Sequence, residues 1–310
     1  MKVRIAVMGC GKIVSRFVKG LSLCENGELA GFAASDPERA RQYAEKFGAA
    51  VYGDYDRIMN DPDIDAVYIS TYNANHYDLV MSALKHGKHV LCEKPMVATK
   101  KQARELFEMA REKGVLLMEA CKGPFMPINR EIRRMISEGV FGDIIYVHAA
   151  YSYDGHFPQG HWIYDPVYGG SLMDVGSYPV SVLNYVLGRS PKLVDRQKTM
   201  FRGTDGFAQA LISYGKGLQG HINTGIIVPT DRHMEIYGRK GHLISDLFWR
   251  NGSCRYWIGD EEYELNCEMK DDFFYEINHF IGCILGGLTE SPVMSEQASL
   301  DILEITGNEE

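Results

Sequence analysis

The chain has 310 residues, 45% of them hydrophobic and 24% charged, with a formal charge of -8. That length exceeds the usual size of one domain and predicts two domains of ordinary globular composition. The acidic balance argues against nucleic acid or an anionic membrane as a partner.

Seven cysteines, an odd number without a C-x-x-C pair, do not form a disulfide or zinc framework, and no metal centre is expected. Cys92, Cys121 and Cys283 sit among apolar neighbours, as buried free thiols do. The N-terminal run "KVRIAVMG" is strand-like, and glycines and charges interrupt it before a signal-peptide core is complete. No apolar stretch is long enough to span a bilayer, so the cytoplasm is the expected compartment.

From Lys2 to about Cys121 short apolar runs alternate with amphipathic stretches. "VRIAVMG", "ELAGFAAS", "DAVYIST", "HVLCEK" and "VLLMEAC" predict strands; "PERARQYAEKFG", "HYDLVMSALKHG" and "TKKQARELFEMAREKG" predict helices. In the last, Thr99 and Gln102 form a capping-box pattern and Gly114 suits the left-handed residue past the end. Continuous apolar strands alternating with helices imply a parallel sheet covered on both sides. In such a sheet, ligands bind outside the carboxyl ends of the strands.

After residue 121 the pattern becomes strand-rich. "DIIYVHAAYSYD", "AQALISYGKGLQGHINTGI", "HMEIYGRKGHLISD" and "CRYWIGDEEYELNC" read as strands and hairpins, with turns at Gly215-Lys216-Gly217 and Gly259-Asp260. Helices are predicted over "PINREIRRMISEG", from Gly176 to Leu187, over "FFYEINHFIGCIL" and over "SEQASLDILEITG". The expected division is 1–121 and 122–310.

Four places carry candidate chemistry. In "VMGCGKIV", Gly9 and Gly11 close the first strand, and Lys12 and Ile13 lead into a helix whose N-terminus would favour a pyrophosphate. Val14 stands where the dinucleotide fingerprint usually has Gly or Ala. At the end of the second strand Asp36 would hold the ribose hydroxyls of NAD, whereas Ser35 and Arg39 would hold the extra phosphate of NADP; Asp36-Pro37 is equally a helix cap. In "STYNANH", Thr71, Asn73 and His76 lie at a strand tip, although Asn75 and His76 also suit a helix start. In "YGGSLMDVGSY", Asp174 and Tyr178 lie on a loop feeding a helix, where a cap and a packed ring are the plain alternatives. Glu93 and Lys94, ending "HVLCEK", stand at the ligand edge.

Together these places resemble the glucose-fructose oxidoreductase / inositol dehydrogenase (Gfo/Idh/MocA) family along almost the whole chain. The markers are Gly9-Cys10-Gly11, Glu93-Lys94-Pro95, and Gly169-Gly170-Ser171 followed by Asp174, Gly176 and Tyr178. Tyr178, where many members have histidine, and "LLMEACKGPFMP" look most like the branch with dimeric dihydrodiol dehydrogenases. Pro124 stands where a basic residue is common, with Lys122 nearby, and Tyr72 where proline is common.

The resemblance implies an N-terminal Rossmann domain and a C-terminal α+β domain with an open, mainly antiparallel sheet. It implies NADP or NAD as cofactor, a small sugar, polyol or diol as substrate, and a homodimer or homotetramer. Glu93 would contact the nicotinamide ribose, Lys94 that ribose and the reacting oxygen, and Asp174 and Tyr178 would approach from the second domain. Lys94 and Tyr178 would share the proton transfer. Free Lys titrates near ~10.4, so poising Lys94 near neutrality takes roughly 4 kcal/mol of desolvation and neighbouring positive charge. An NAD-assisted glycosidase and a non-catalytic NAD(P)-binding regulator are the competing readings.

Overall fold

Val3–Met8 (β1) opens a sheet because five of its six side chains are buried, as a strand covered on both faces requires. The structure, a computed structural model, describes residues 2–308. The first of two units contains the residues up to Val97, Lys101–Ala120 and Lys270–Glu296. Its elements continue with α1 (Val14–Ser22), β2 (Gly27–Ala33), α2 (Pro37–Phe47), β3 (Ala50–Gly53), α3 (Tyr55–Asn60) and β4 (Ala66–Ile69). Then come α4 (His76–Lys85), β5 (His89–Glu93), α5 (Lys100–Lys113) and β6 (Leu117–Ala120).

All six strands are parallel, in the order β3-β2-β1-β4-β5-β6. The order reverses between β1 and β4, so the crevice at that point, beyond Met8 and Ile69, is where a doubly wound sheet takes a ligand. The predicted strands and helices all form. The four-residue edge strand β3 is not among the apolar runs, since Ala50 and Val51 are exposed.

The second unit contains Ala98–Lys100, Cys121–Met269 and the chain from Gln297. It comprises α6 (Pro127–Ser137), β7 (Ile144–Ser152), α7 (Ser171–Val175), α8 (Ser177–Leu187), β8 (Lys192–Phe201), β9 (Thr204–Ser213), β10 (Gln219–Gly225), β11 (His233–Gly238), β12 (Gly241–Asp246), β13 (Ser253–Ile258) and β14 (Glu261–Asn266). The sheet order is β14-β13-β12-β11-β7-β10-β9-β8. Only the β7–β10 pair is parallel, which leaves the sheet open and mainly antiparallel. The β9–β10 hairpin turns where the sequence has Gly215-Lys216-Gly217, all three with positive φ. Alternation sets the faces: Ala208, Ala210 and Ile212 of β9 are buried, while Gln209 and Leu211 face outward. Fully burying side chains of the size of Ile212, Ile222, Met234 and Ile236 contributes about 1.5–3 kcal/mol each. Edge strand β8 escapes the apolar reading because none of its residues is buried.

Lys270–Glu296 departs from the sequence-based division. Its helix α9 (Phe274–Leu285) lies against α1 of the first unit. A Cβ on Gly20 would stand 2.7 Å from that of Phe273, so glycine is what permits the close approach. Arg16 and Lys19 bind Asp272 and Asp271 at 2.6 and 3.0 Å. The last helix, α10 (Glu296–Thr306), buries Ile302, Leu303 and Ile305.

Candidate active site

At the end of β1, Gly9 has φ +100°, and a Cβ there would lie 2.9 Å from the Ser70 backbone. Gly9 N–H donates to Ala33 O and Ser70 Oγ donates to Gly9 O, locking the turn between β2 and β4. Gly11 differs. A Cβ on it would meet nothing nearer than Ser70 O at 3.8 Å, so the fold itself does not require glycine there. The following helix α1 starts after Ile13 with no side-chain cap, which leaves its positive end open to an anion. Val14, the departure from the fingerprint, is wholly buried under that turn.

Ser35, Asp36 and Arg39 are exposed together beyond β2. Asp36 Oδ1 accepts from Glu38 N–H at 3.0 Å and caps α2, so the cap reading holds and the second carboxylate oxygen remains outside that bond.

Beyond β4 and β5 the polar residues divide by task. Glu93 Oε1 accepts a 2.5 Å hydrogen bond from the hydroxyl of Tyr68, a wholly buried residue stacked on Phe17. Burial, with the Glu93 charge second, pushes the Tyr68 phenol well up, so it stays a donor. Asn73 is buried in a short turn and the Thr71 hydroxyl faces Tyr72 O at 3.4 Å. His76 is also wholly buried, its Nδ1 2.9 Å from Pro95 O and its Nε2 3.2 Å from Thr71 O. Burial lowers its pKa to about 4, leaving a neutral ring whose single N–H donates to one of these two carbonyls. Its side chain is buried at the strand tips rather than exposed there. Lys94 is half-buried, close enough to His76 for its charge to depress that pKa further, and the Lys94–Pro95 bond is cis.

In the second unit, Gly169 and Gly170 are packing residues. A Cβ on Gly169 would lie 2.4 Å from Ile163 O, and one on Gly170, at φ +88°, 2.4 Å from Asp205 Oδ1. Asp205 accepts from Ser171 Oγ at 2.7 Å and from Leu172 N–H at 2.8 Å, fixing the start of α7 on β9. The motif thus sets the course of α7 and α8, which carry Asp174 and Tyr178. Asp174 Oδ2 accepts from Tyr153 OH at 2.7 Å. The Tyr178 ring packs against Tyr151, which is stacked on Trp249 at 4.1 Å. Lys122 is buried rather than presented at the surface.

Residues 3–121 match the model of an oxidoreductase family with an NAD-binding Rossmann fold, and 129–244 match the GFO/IDH/MocA C-terminal domain. The chain belongs to the Gfo/Idh/MocA oxidoreductase family. It is 30% identical to trans-1,2-dihydrobenzene-1,2-diol dehydrogenase of Xenopus tropicalis over 95% of this chain and 93% of that one. The Mus musculus enzyme of that name is also 30% identical, over 98% and 95%. A 3-ketoreductase from Actinomadura kijaniata, solved with NADP and TDP-benzene, superposes with TM-score 0.89 at 28% identity, covering 97% of this chain and 95% of that one.

As a family member the protein is an NAD(P)-dependent oxidoreductase acting on CH-OH groups. Its residues fit the cofactor: Gly11 lacks a side chain where nothing in the protein demands that, and α1 presents an uncapped N-terminus. Two anchoring residues, Tyr68 and Tyr153, escaped the sequence reading. Tyr68 reads as part of an apolar strand, and only the i, i+2 spacing of Tyr151 and Tyr153 hinted at a shared face.

Proposed function

We propose that this oxidoreductase interconverts a secondary alcohol and a carbonyl on a small diol or sugar, with Lys94 exchanging the proton of the substrate oxygen. The observation that carries the reading is the Tyr68–Glu93 bond. It commits Glu93 to one position at the end of β5, and Lys94 follows immediately beyond the strand at the same ligand edge. When bound, NAD(P) supplies or accepts the hydride. Gly9, Gly11, Lys12 and Ile13 hold its diphosphate, Ser35, Asp36 and Arg39 its adenosine ribose, and Thr71, Asn73 and Glu93 its nicotinamide ribose. Tyr178 is the second proton donor, and Asp174, fixed by Tyr153, orients substrate hydroxyls.

Similarity to the dihydrodiol dehydrogenases and to a dTDP-sugar 3-reductase supports a substrate with vicinal oxygen groups. The Actinomadura kijaniata ketoreductase has also been solved with a lysine and with a tyrosine replaced; those positions lie as far apart in sequence as Lys94 and Tyr178.

Fluorescence titration with NADPH and NADH, followed by turnover of a diol and sugar panel with the tighter one, tests the reading. Tighter NADPH binding favours Ser35 and Arg39, and tighter NADH binding favours Asp36. A cofactor that binds while no panel member turns over defeats the enzymatic assignment. We also propose a homodimer or homotetramer through the outward sheet face of the second unit, where Leu211 is 49% exposed; sedimentation measures it. The seven unpaired cysteines support a reducing compartment such as the cytoplasm.

A further inference from the structure

The outward face of the β7–β11 sheet carries side chains that the proposed reaction does not use. His233 and Glu235 are two apart on β11 and therefore share a face. Glu235 stands opposite His148 of β7, and His148 opposite His221 of β10. Register alone thus gathers two imidazoles and a carboxylate, with a third imidazole beside them.

The ligand atoms of His148, His233 and Glu235 all lie within 4.8 Å of one another. His233 Nε2 is 3.2 Å from Glu235 Oε1, and His148 Nδ1 is 3.9 Å from Glu235 Oε2. Donors bound to zinc at 2.0–2.1 Å in a tetrahedron stand about 3.3 Å apart. The first separation already fits, and side-chain rotations must close the other two, which are within 4.8 Å. We propose that His148, His233 and Glu235 form a binding site for a divalent transition-metal ion of the zinc class, with water completing the coordination.

The surroundings suit that assignment. Tyr237 OH donates to Glu235 Oε2 at 3.2 Å, and a ligating carboxylate is commonly held by such an outer partner. Asn223 Nδ2 lies 3.4 Å from His148 Nε2, while Asn223 Oδ1 is buried without a hydrogen-bond partner. Coordination through Nδ1 puts the His148 ring proton on Nε2. Turning the Asn223 amide over then lets Oδ1 accept a hydrogen bond from Nε2–H, which fixes the tautomer. Two nitrogens and one carboxylate oxygen suit zinc or cobalt better than magnesium or calcium.

Chelator-treated protein would be titrated with Zn2+ alone by calorimetry and with Co2+ by visible absorption. One Zn2+ per chain and the intense bands of a four- or five-coordinate Co2+ ion are expected. His233→Ala and Glu235→Gln should each weaken uptake at least ~10-fold. His242→Ala, on the same face, should leave uptake unchanged. Circular dichroism and NADPH affinity, equal in all variants, establish that each is folded. No Zn2+ uptake, or uptake equally strong in His233→Ala and Glu235→Gln, overturns the site; the latter would assign the ion to thiols and leave His233–Glu235 a plain ion pair.

Discussion

The hydroxyl of Tyr68 donates to Glu93 Oε1 at 2.5 Å, so the carboxylate at the end of β5 is held from the neighbouring strand β4. Tyr68→Phe keeps the ring stacked on Phe17 and removes only the donor. Hydrogen bonds to charged groups contribute about 1.5–3 kcal/mol, and the freed carboxylate would no longer be fixed. Cofactor affinity should fall about tenfold, a loss of roughly 1.4 kcal/mol, with little change in secondary structure. NADPH titration and circular dichroism of the variant check this.

Lys94→Met should separate binding from chemistry. General acid–base groups typically contribute about 10²–10⁴-fold, so kcat should drop within that range while NADPH still binds. Single-turnover kinetics beside a fluorescence titration provide the comparison. Near wild-type turnover would remove Lys94 from the proton transfer.

Gly9 and Gly11 should respond to alanine in opposite ways. Gly9→Ala places a Cβ 2.9 Å from Ser70 in a left-handed backbone and should cost about 1–3 kcal/mol of stability. Gly11→Ala meets only an ordinary contact at 3.8 Å, so the protein should fold normally and lose cofactor affinity. Urea denaturation and NADPH titration of both variants read the two effects. Unchanged affinity in Gly11→Ala would mean that the phosphates do not approach that backbone.

His76 predicts a pH dependence of stability. Its folded pKa, lowered by burial to about 4, lies below the free value of 6.5. Between those values the unfolded chain binds more protons, so stability rises with pH. The contribution is fully present above about pH 6.5 and is lost as pH falls toward 4, a change of about 3 kcal/mol. Urea midpoints measured from pH 4 to 7 should show a shallower slope in His76→Gln than in the parent. Identical slopes would assign the dependence to His89, His148 or His221, whose pKa values burial also lowers.

The amino-acid sequence by itself determined the kinds of element and where chemistry collects along them. Apolar runs of five or six residues separated by amphipathic stretches can bury their side chains only as a parallel sheet with helices. Gly9, Gly11 and the Glu93-Lys94-Pro95 strand end are legible because turn chemistry and strand termination act over a few residues. Tertiary structure alone decided which residues hold the functional ones. Tyr68 meets Glu93, and Tyr153 meets Asp174, through strand order and helix placement that local periodicity does not encode. The approach of His76 to Pro95 O, the return of α9 to α1, and the register that brings His148 to His233 and Glu235 are likewise long-range contacts. Their partners lie many residues away in the chain. Only the packing of complete sheets brings them together.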